Sequence, residues 1–501
     1  MVFCEGARHM RARLAAAVVA LALLSGSAAA QNTVERVAIK GAQDMIVVPK
    51  DWNGGLFIYA HGYTADKRLL APFPADPSKV PLLLLPGLAS VPPGYAAAVT
   101  TFRSVGWYVK DAVKDIENLR RYFVKKHGKP KHTYIWGHSG GGMVTQAVIE
   151  YFPGTYEGAA PMCGTGAGAW RNFNAALDLR LAYEYVCRDV PAARFACRLC
   201  SDGKSRCLAD AHCPAGQTCG DSEAPAAPED GLGPECTAFL LDHPETFTES
   251  PTSLGGDFVT PPLTACFGDL NPGGAPSAEQ AARKDLFLRA TQLRESFLAT
   301  DMFFASIGMA EVVHRRTHGR HPWGNMGVDY ASPLLTPAEQ TAFNAGIARV
   351  AADADAVRYM RRFYEPRGRT RSKVITVHAL DDGLVLPENE DKYREAFEAA
   401  GTTDRLVQLF TPTGGHCLFL AAWTPALQAL TAWVEEGRKP STTSVSPTCG
   451  NCLTDQTPGP WGLKVVERRA KGAPVRTLVC SVEPGDCPAG ATCVEAQHHC
   501  R

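Results

Sequence analysis

One turn constrains this chain more than any other stretch. Thr133 to Trp136 is a short β-prone run, Gly137-His138-Ser139-Gly140-Gly141 follows, and helical spacing begins with Met143, Val144, Ala147 and Val148. Strand, G-x-S-x-G and helix is the layout of a nucleophile elbow, where a sharp turn presents the serine hydroxyl at the end of a sheet. The flanking glycines let such a turn close. The bland alternative is a glycine-rich β–α turn that happens to hold a serine, so the weight falls on whether partners for Ser139 follow. Gly140-Gly141-Gly142 lacks the lysine of a phosphate loop.

The surroundings read as a wound α/β domain. Val34 to Val48 predicts two short strands joined at Gly41-Ala42, and Leu56 to Ala60 is a continuous apolar run of the kind that forms a parallel strand covered on both faces. Tyr95 to Thr101 predicts another strand. Val109 to Lys126 carries Ala112, Val113, Ile116, Leu119 and Phe123 on one stripe, an amphipathic helix that Gly128-Lys129-Pro130 stops. A strand is expected at Glu157 to Cys163. Alternating strands and helices indicate a mostly parallel twisted sheet flanked by helices. The alternation then breaks off. Residues 164–321 combine helical pieces (Trp170 to Val186, Glu279 to Ile307) with a cysteine cluster and a Pro/Gly/Asp-rich stretch, and read as an inserted cap placed to act as a lid. The core resumes with a helix near Pro337–Arg362, a strand at Lys373–Leu380, a helix at Pro387–Ala400, a strand at Arg405–Phe410 and a helix at Leu418–Glu436. The expected domains are a core of 31–163 and 322–437, the cap at 164–321, a linker at 438–448 and a terminal cysteine module at 449–501.

A serine hydroxyl is a poor nucleophile until a base takes its proton and an acid orients that base. Behind such an elbow the acid and then the histidine follow in the chain. The strand ending at Leu380 runs into Asp381-Asp382-Gly383-Leu384-Val385, with Asp382 the choice of acid and Asp381 the alternative; their ordinary role would be turn residues before a glycine. After the next strand, Thr411 to His416 forms a glycine-rich loop, and His416 is the candidate base. The oxyanion formed on attack needs two backbone N–H donors, assigned to Gly140 and, in the His61-Gly62-Tyr63 loop, Tyr63. His314 to His321 carries histidines four apart, but no carboxylates complete a zinc site, so a solvated basic segment is expected. Trp107, Trp170, Trp323 and Tyr330 read as core aromatics before pocket lining.

Lys+Arg and Asp+Glu balance at 51 each, which gives no reason to expect a nucleic-acid or anionic-membrane partner. Residues 1–30 read as a signal peptide: Arg11 and Arg13, an apolar run from Leu14 to Leu24 too short to span a bilayer, then Ala28-Ala29-Ala30. Of 17 cysteines, 16 lie beyond that segment. Two groups begin C-x-x-C, at Cys197 and Cys449. They share a repeat, Cys213-Pro-Ala-Gly-Gln-Thr-Cys219 against Cys487-Pro-Ala-Gly-Ala-Thr-Cys493. Zinc is the other use of paired C-x-x-C, but export favours disulfides. The modules, 197–236 and 449–501, loosely resemble cysteine-rich repeats of secreted myxobacterial proteins and could bind a surface or polymer.

Leu56–Tyr63, Gly137–Gly141, Asp382 and His416 together resemble a secreted bacterial α/β-hydrolase of the esterase type. Trp52-Asn53-Gly54 and Ala160-Pro161-Met162-Cys163-Gly164 resemble bacterial secreted hydrolases, and the chain is distantly similar to feruloyl esterases, tannases and polyhydroxyalkanoate depolymerases. The resemblance implies an α/β-hydrolase fold and ester hydrolysis through an acyl-enzyme, with no metal or organic cofactor. One class of feruloyl esterases and tannases carries a cysteine before the nucleophile, bridged to one after the histidine. Here Cys417 follows His416, but His138 precedes Ser139. Cys163, closing a strand beside the elbow, is a candidate partner for Cys417, which would leave Cys187 to pair with Cys266; buried free thiols are the opposing reading. A serine peptidase on the same scaffold, or a non-catalytic secreted binding protein, are the competing functions.

Overall fold

A computed structural model of the chain describes residues 32–74, 80, 81, 83–223, 232–243, 246, 248–250, 253, 254, 256–270 and 274–459, with the short strands 468–469, 493–494 and 499–500. The expected signal peptide, and most of the second copy of the cysteine repeat, lie outside these residues. The chain divides into two compact units. The first comprises Met1–Gly166, Pro366–Ala379 and Tyr393–Gln456; the second comprises Ala167–Glu365, Leu380–Lys392 and Thr457–Arg501.

The first unit is built on an eight-stranded sheet of β1 (Thr33–Ile39), β2 (Ala42–Val48), β3 (Gly55–Ala60), β4 (Ala96–Thr100), β5 (His132–His138), β6 (Gly158–Met162), β7 (Lys373–Ala379) and β8 (Leu406–Thr411). Its spatial order is β1-β2-β4-β3-β5-β6-β7-β8. β2 runs antiparallel to both β1 and β4, while β4 through β8 are parallel. Every residue of β3 is buried, as its unbroken apolar run requires. Each fully buried large aliphatic or aromatic side chain there contributes about 2 kcal/mol.

The sheet is flanked by α1 (Val109–His127), α2 (Gly140–Tyr151) and α3 (Leu420–Glu436). The stripe read from the sequence, Ala112, Val113, Ile116, Leu119 and Phe123, is the face that α1 buries. Aromatic rings on neighbouring strands meet across the ladder: Phe57 stacks on Tyr134 at 4.6 Å, and Tyr59 packs at a tilt against Trp136 at 4.7 Å. Trp423 of α3 meets Trp136 edge-on at 5.7 Å.

The second unit holds a helix at Ala169–Cys187, the cysteine cluster, and helices at Gly256–Phe267 and Ala278–Thr291. The helix expected to run from Glu279 to Ile307 is interrupted. Gln292 takes a left-handed conformation (φ 56°) and its N–H closes the first helix on Leu288, and helical structure resumes at Glu295 and runs to Arg316. That stretch is long and apolar enough to cross a membrane, but 72% of its apolar window is buried inside the protein, as in the core helix of a water-soluble domain. Of the basic segment expected from His314 to His321, Arg315, His318 and Arg320 are exposed, while the turn that leads into it is anchored. Val312 and Val313 are buried, Arg316 pairs with the buried Glu311 at 2.9 Å, and His314 Nε2 lies 2.9 Å from the Leu232 carbonyl.

The single helix expected over Pro337–Arg362 is two, Pro337–Gly346 and Ala354–Arg362. Each has its own cap: Thr336 in a capping box with Glu339, and Asp353 accepting from the amides of Asp355 and Ala356. Trp107, Trp323 and Tyr330 are buried and Trp170 is partly so.

Candidate active site

The turn after β5 has the strained geometry that its sequence predicts. Ser139 sits at φ 55° and ψ −125°, a region that costs on the order of 1–3 kcal/mol for a residue with a side chain. Its amide donates to the Met162 carbonyl of β6 at 3.0 Å, and its carbonyl accepts from Met143 in the first turn of α2. Gly141 shows why the turn needs glycines. A Cβ there would lie 2.0 Å from the Ala60 carbonyl oxygen, so α2 can approach β3 this closely only without a side chain.

His416 follows β8 on the loop containing Gly414 and Gly415, both with positive φ. Its Nε2 lies 2.8 Å from Ser139 Oγ, so two residues 277 positions apart meet within hydrogen-bond reach. A disulfide, Cys163–Cys417, ties the histidine loop to the end of β6. Cys417 Sγ stands 3.6 Å from His416 Nε2 and 3.8 Å from Nδ1; a disulfide sulfur has no proton to donate, so it packs against the ring. Cys163 and Cys417 both have positive φ, as Ser139 does.

Gly140 is the first residue of α2, where backbone N–H groups have no intrahelical acceptor. A Cβ on it would lie 3.1 Å from the Tyr63 amide nitrogen and 2.8 Å from the Tyr108 hydroxyl, so the loop after β3 runs directly past the elbow. Tyr108, next to the start of α1, donates its hydroxyl to the His61 carbonyl at 2.9 Å and so holds that loop. His61 is buried between the carbonyls of Gly62 and Thr101, and burial pushes its imidazole down to about 4.

The first unit thus brings Ser139, His416, Gly140 and Tyr63 together. Asp382 belongs to the second unit and follows the last residue of β7 by three positions. It is buried, and its Oδ1 accepts from the amides of Leu384 (3.0 Å) and Val385 (2.9 Å). Asp381 is partly exposed. Within the same unit Asp301 is buried, and burial, with the Asp382 carboxylate adding to it, holds its carboxyl well above the usual range.

The elbow also holds His138, whose place in the chain, before the serine, does not fit that of the base. Its Nδ1 lies 2.7 Å from the Tyr59 hydroxyl, and its ring stacks on Trp423 at 5.5 Å.

The cysteine pairs are Cys187–Cys266, Cys197–Cys236, Cys200–Cys213, Cys207–Cys219 and Cys449–Cys452, besides Cys163–Cys417. Both expected pairings, Cys163–Cys417 beside the elbow and Cys187–Cys266 within the insertion, are therefore present. Among the described residues, Cys200, Cys207 and Cys213 form the one group close enough to share a metal ion. All three sulfurs are engaged in disulfides, which leaves no thiolate for zinc.

The strand order, the single antiparallel β2 and the serine turn after β5 define an α/β-hydrolase fold. Residues 49–332, more than half of the chain, match the tannase-like family of unknown function (DUF6351), and the protein belongs to that family. No curated protein matches the sequence. Among solved structures it is similar to the rice cell wall degrading esterase LipA from Xanthomonas oryzae, at 11% identity and a TM-score of 0.35, over 81% of this chain and 90% of that one. It is also similar to feruloyl esterase B from Aspergillus oryzae, at 14% identity and a TM-score of 0.34, over 82% of each chain. A prolyl endopeptidase matches at 20% identity and a TM-score of 0.22, over 28% of this chain; the chain spans 22% of that enzyme's length.

Proposed function

We propose that the protein is a secreted serine hydrolase that cleaves carboxylic esters through an acyl-enzyme. The observation that carries this reading is the 2.8 Å approach of His416 Nε2 to a serine held at φ 55° on an elbow turn. In the proposed reaction the imidazole takes the Ser139 proton as Oγ attacks the ester carbonyl. The amides of Gly140 and Tyr63 receive the oxyanion, and the imidazolium returns its proton to the departing alcohol. Water, deprotonated by the same nitrogen, then releases the acid. Asp382 is the proposed orienting acid. Its burial and its position just beyond β7 favour it over the more exposed Asp381.

The tannase-like family assignment supports an ester over an amide substrate. Export is supported by the cysteine pairing among the described residues, since such bonds persist in oxidising compartments. No metal or organic cofactor enters the proposed steps.

A fluorophosphonate probe tests the chemistry: it should label the wild-type protein and not Ser139→Ala. Labelling that persists in Ser139→Ala would refute the nucleophile. Turnover of aryl esters compared with aminoacyl anilides tests the bond, and faster anilide hydrolysis would replace the esterase reading with a peptidase.

A further inference from the structure

The chain is neutral overall, with 51 acidic and 51 basic residues, but the first unit does not spread its charge evenly. The run Arg367-Gly368-Arg369-Thr370-Arg371-Ser372 leads into β7 with alternating burial. Arg367, Arg369 and Arg371 are exposed, while Gly368, Thr370 and Ser372 are buried. The buried hydroxyls bond to the fold: Thr370 Oγ1 donates to the Ile149 carbonyl of α2 at 3.3 Å, and Ser372 Oγ to the Tyr156 carbonyl at 2.7 Å. A period of two sends alternate side chains to opposite faces. One face of the segment is therefore bonded down, and the other presents arginines about 7 Å apart.

More cations stand beside it. Lys125 and Lys126 in the last turn of α1, then Lys129 and Lys131 before β5, are all exposed. Tyr156 joins the two groups, because its hydroxyl donates to Glu117 of α1 at 3.5 Å while its carbonyl holds Ser372. The strand order β5-β6-β7 places Lys131 and Arg371 two strand spacings apart, about 10 Å. Arg405, just before β8, extends the row and donates to the Arg371 carbonyl. The dipole of α1 accounts for Lys125 and Lys126; it does not account for three arginines on an extended segment.

The carboxylates nearby do not neutralise this row by pairing with it. Glu150 accepts from the amides of Arg367 (3.0 Å) and Gly368 (2.7 Å), Glu157 accepts from the Thr133 amide at 2.8 Å, and Glu398 pairs with Arg394. Asp404 is exposed beside Arg405. Among the described residues, none of the four lysines or of Arg367, Arg369 and Arg371 forms an ion pair with a carboxylate. The row lies at the N-terminal ends of the parallel strands, whereas Ser139 and His416 follow the C-terminal ends of β5 and β8. A polymer held there leaves the catalytic rim open.

We propose that this basic rim binds an acidic polysaccharide, a linear chain of sugar carboxylates. Guanidinium groups take carboxylates through two parallel N–H bonds, and a row of them suits an extended polyanion. Two other polyanions fit less well. Of the large exposed apolar side chains, Tyr151, Met326, Leu418 and Leu420, Tyr151 alone belongs to this rim, at the end of α2. An anionic membrane would need apolar groups to enter its acyl layer, and a single-stranded nucleic acid would need a series of aromatic platforms for its bases.

Fluorescence anisotropy of labelled polygalacturonate, with labelled dextran as the neutral polymer, measures the binding on the full-length protein. The wild type should bind polygalacturonate and not dextran. Raising sodium chloride from about 50 to about 300 mM should weaken binding tenfold or more, because exposed charges are screened. The triple variant Arg367→Gln, Arg369→Gln, Arg371→Gln should raise Kd by tenfold or more. It should hydrolyse a small soluble ester at the wild-type rate, which also shows that it is folded. Arg188→Gln, Arg315→Gln, Arg320→Gln removes three exposed cations of the second unit and should leave Kd within twofold. Equal losses in the two triple variants would reduce the effect to net charge and overturn the proposal. No binding of polygalacturonate by the wild type would overturn it too. So would equal or tighter binding of phosphatidylglycerol vesicles or of single-stranded DNA. None of these readings requires ester turnover, so the binding surface and the esterase reading stand or fall separately.

Discussion

Asp44 is a buried carboxylate whose titration should make the first unit weaker at neutral pH than in mild acid. It lies on β2 opposite Thr100 of β4 and is 1% exposed. Burial raises its pKa from 3.8 to about 7; Thr100 works against that shift, and the carboxylate of Asp115 on α1 adds to it. Below pH 4 the group is protonated in folded and unfolded chains alike and costs nothing. Between pH 4 and 7 the unfolded chain releases this proton while the folded one holds it, so stability falls as pH rises. Above 7 the loss is complete. A shift of about 3 units corresponds to about 4 kcal/mol.

Asp44→Asn keeps the shape and removes the charge. The variant should match the wild type at pH 4 and become more stable by about 4 kcal/mol at pH 8, with the difference opening between. Urea unfolding of both proteins at pH 4, 6 and 8, with hydrogen exchange of the β1 and β2 amides as the local readout, measures it. Using the difference between variants removes the contribution of every other titrating group. A gap that does not widen with pH, or a variant that is weaker at pH 8, would refute the reasoning.

Two further outcomes follow from the site. Breaking the Cys163–Cys417 bridge, by reductant or by the double change to alanine, should free the His416 loop and lower ester turnover by tenfold or more. It should also cost about 5 kcal/mol, because the bond closes a loop of 254 residues; unchanged turnover in the double variant would remove the bridge from the positioning of the histidine. Asp382→Asn should lower kcat by about 10⁴, as loss of the orienting acid does, while Asp381→Asn should change it only a few-fold. A reversed ranking would move the acid to Asp381.

What the sequence made legible was whatever is written locally. The run Leu56 to Ala60 announces a strand covered on both faces, and the stripe from Ala112 to Phe123 announces the buried side of α1. The glycines around Ser139 announce a turn that no bulkier residues could make. Asp382 is preferred to Asp381 in the chain only by its spacing to Val385, because both follow β7; what separates them physically is burial and the amides of Leu384 and Val385, which only the folded turn supplies. The six cysteines between Cys197 and Cys236 allow fifteen pairings, and their spacing does not choose among them. The setting of His138 was illegible for a related reason. It depends on Tyr59, 79 positions away, and the two meet because β3 and β5 are neighbours in the sheet.

Three left-handed residues at the elbow, the end of β6 and the histidine loop are affordable for one common reason. Each would cost on the order of 1–3 kcal/mol alone, and each is pinned by a bond to a neighbouring segment. The Ser139 amide is held by Met162, the Cys163 amide by Val377 at 2.8 Å, and Cys417 by its disulfide to Cys163. The pins run in sequence from β5 to β6, from β6 to β7, and from the end of β6 to the loop after β8. Displacing any one segment therefore loosens the strained turn of the next. Such a linkage holds a serine and a histidine 277 positions apart at 2.8 Å without either depending on the intrinsic preferences of its own loop.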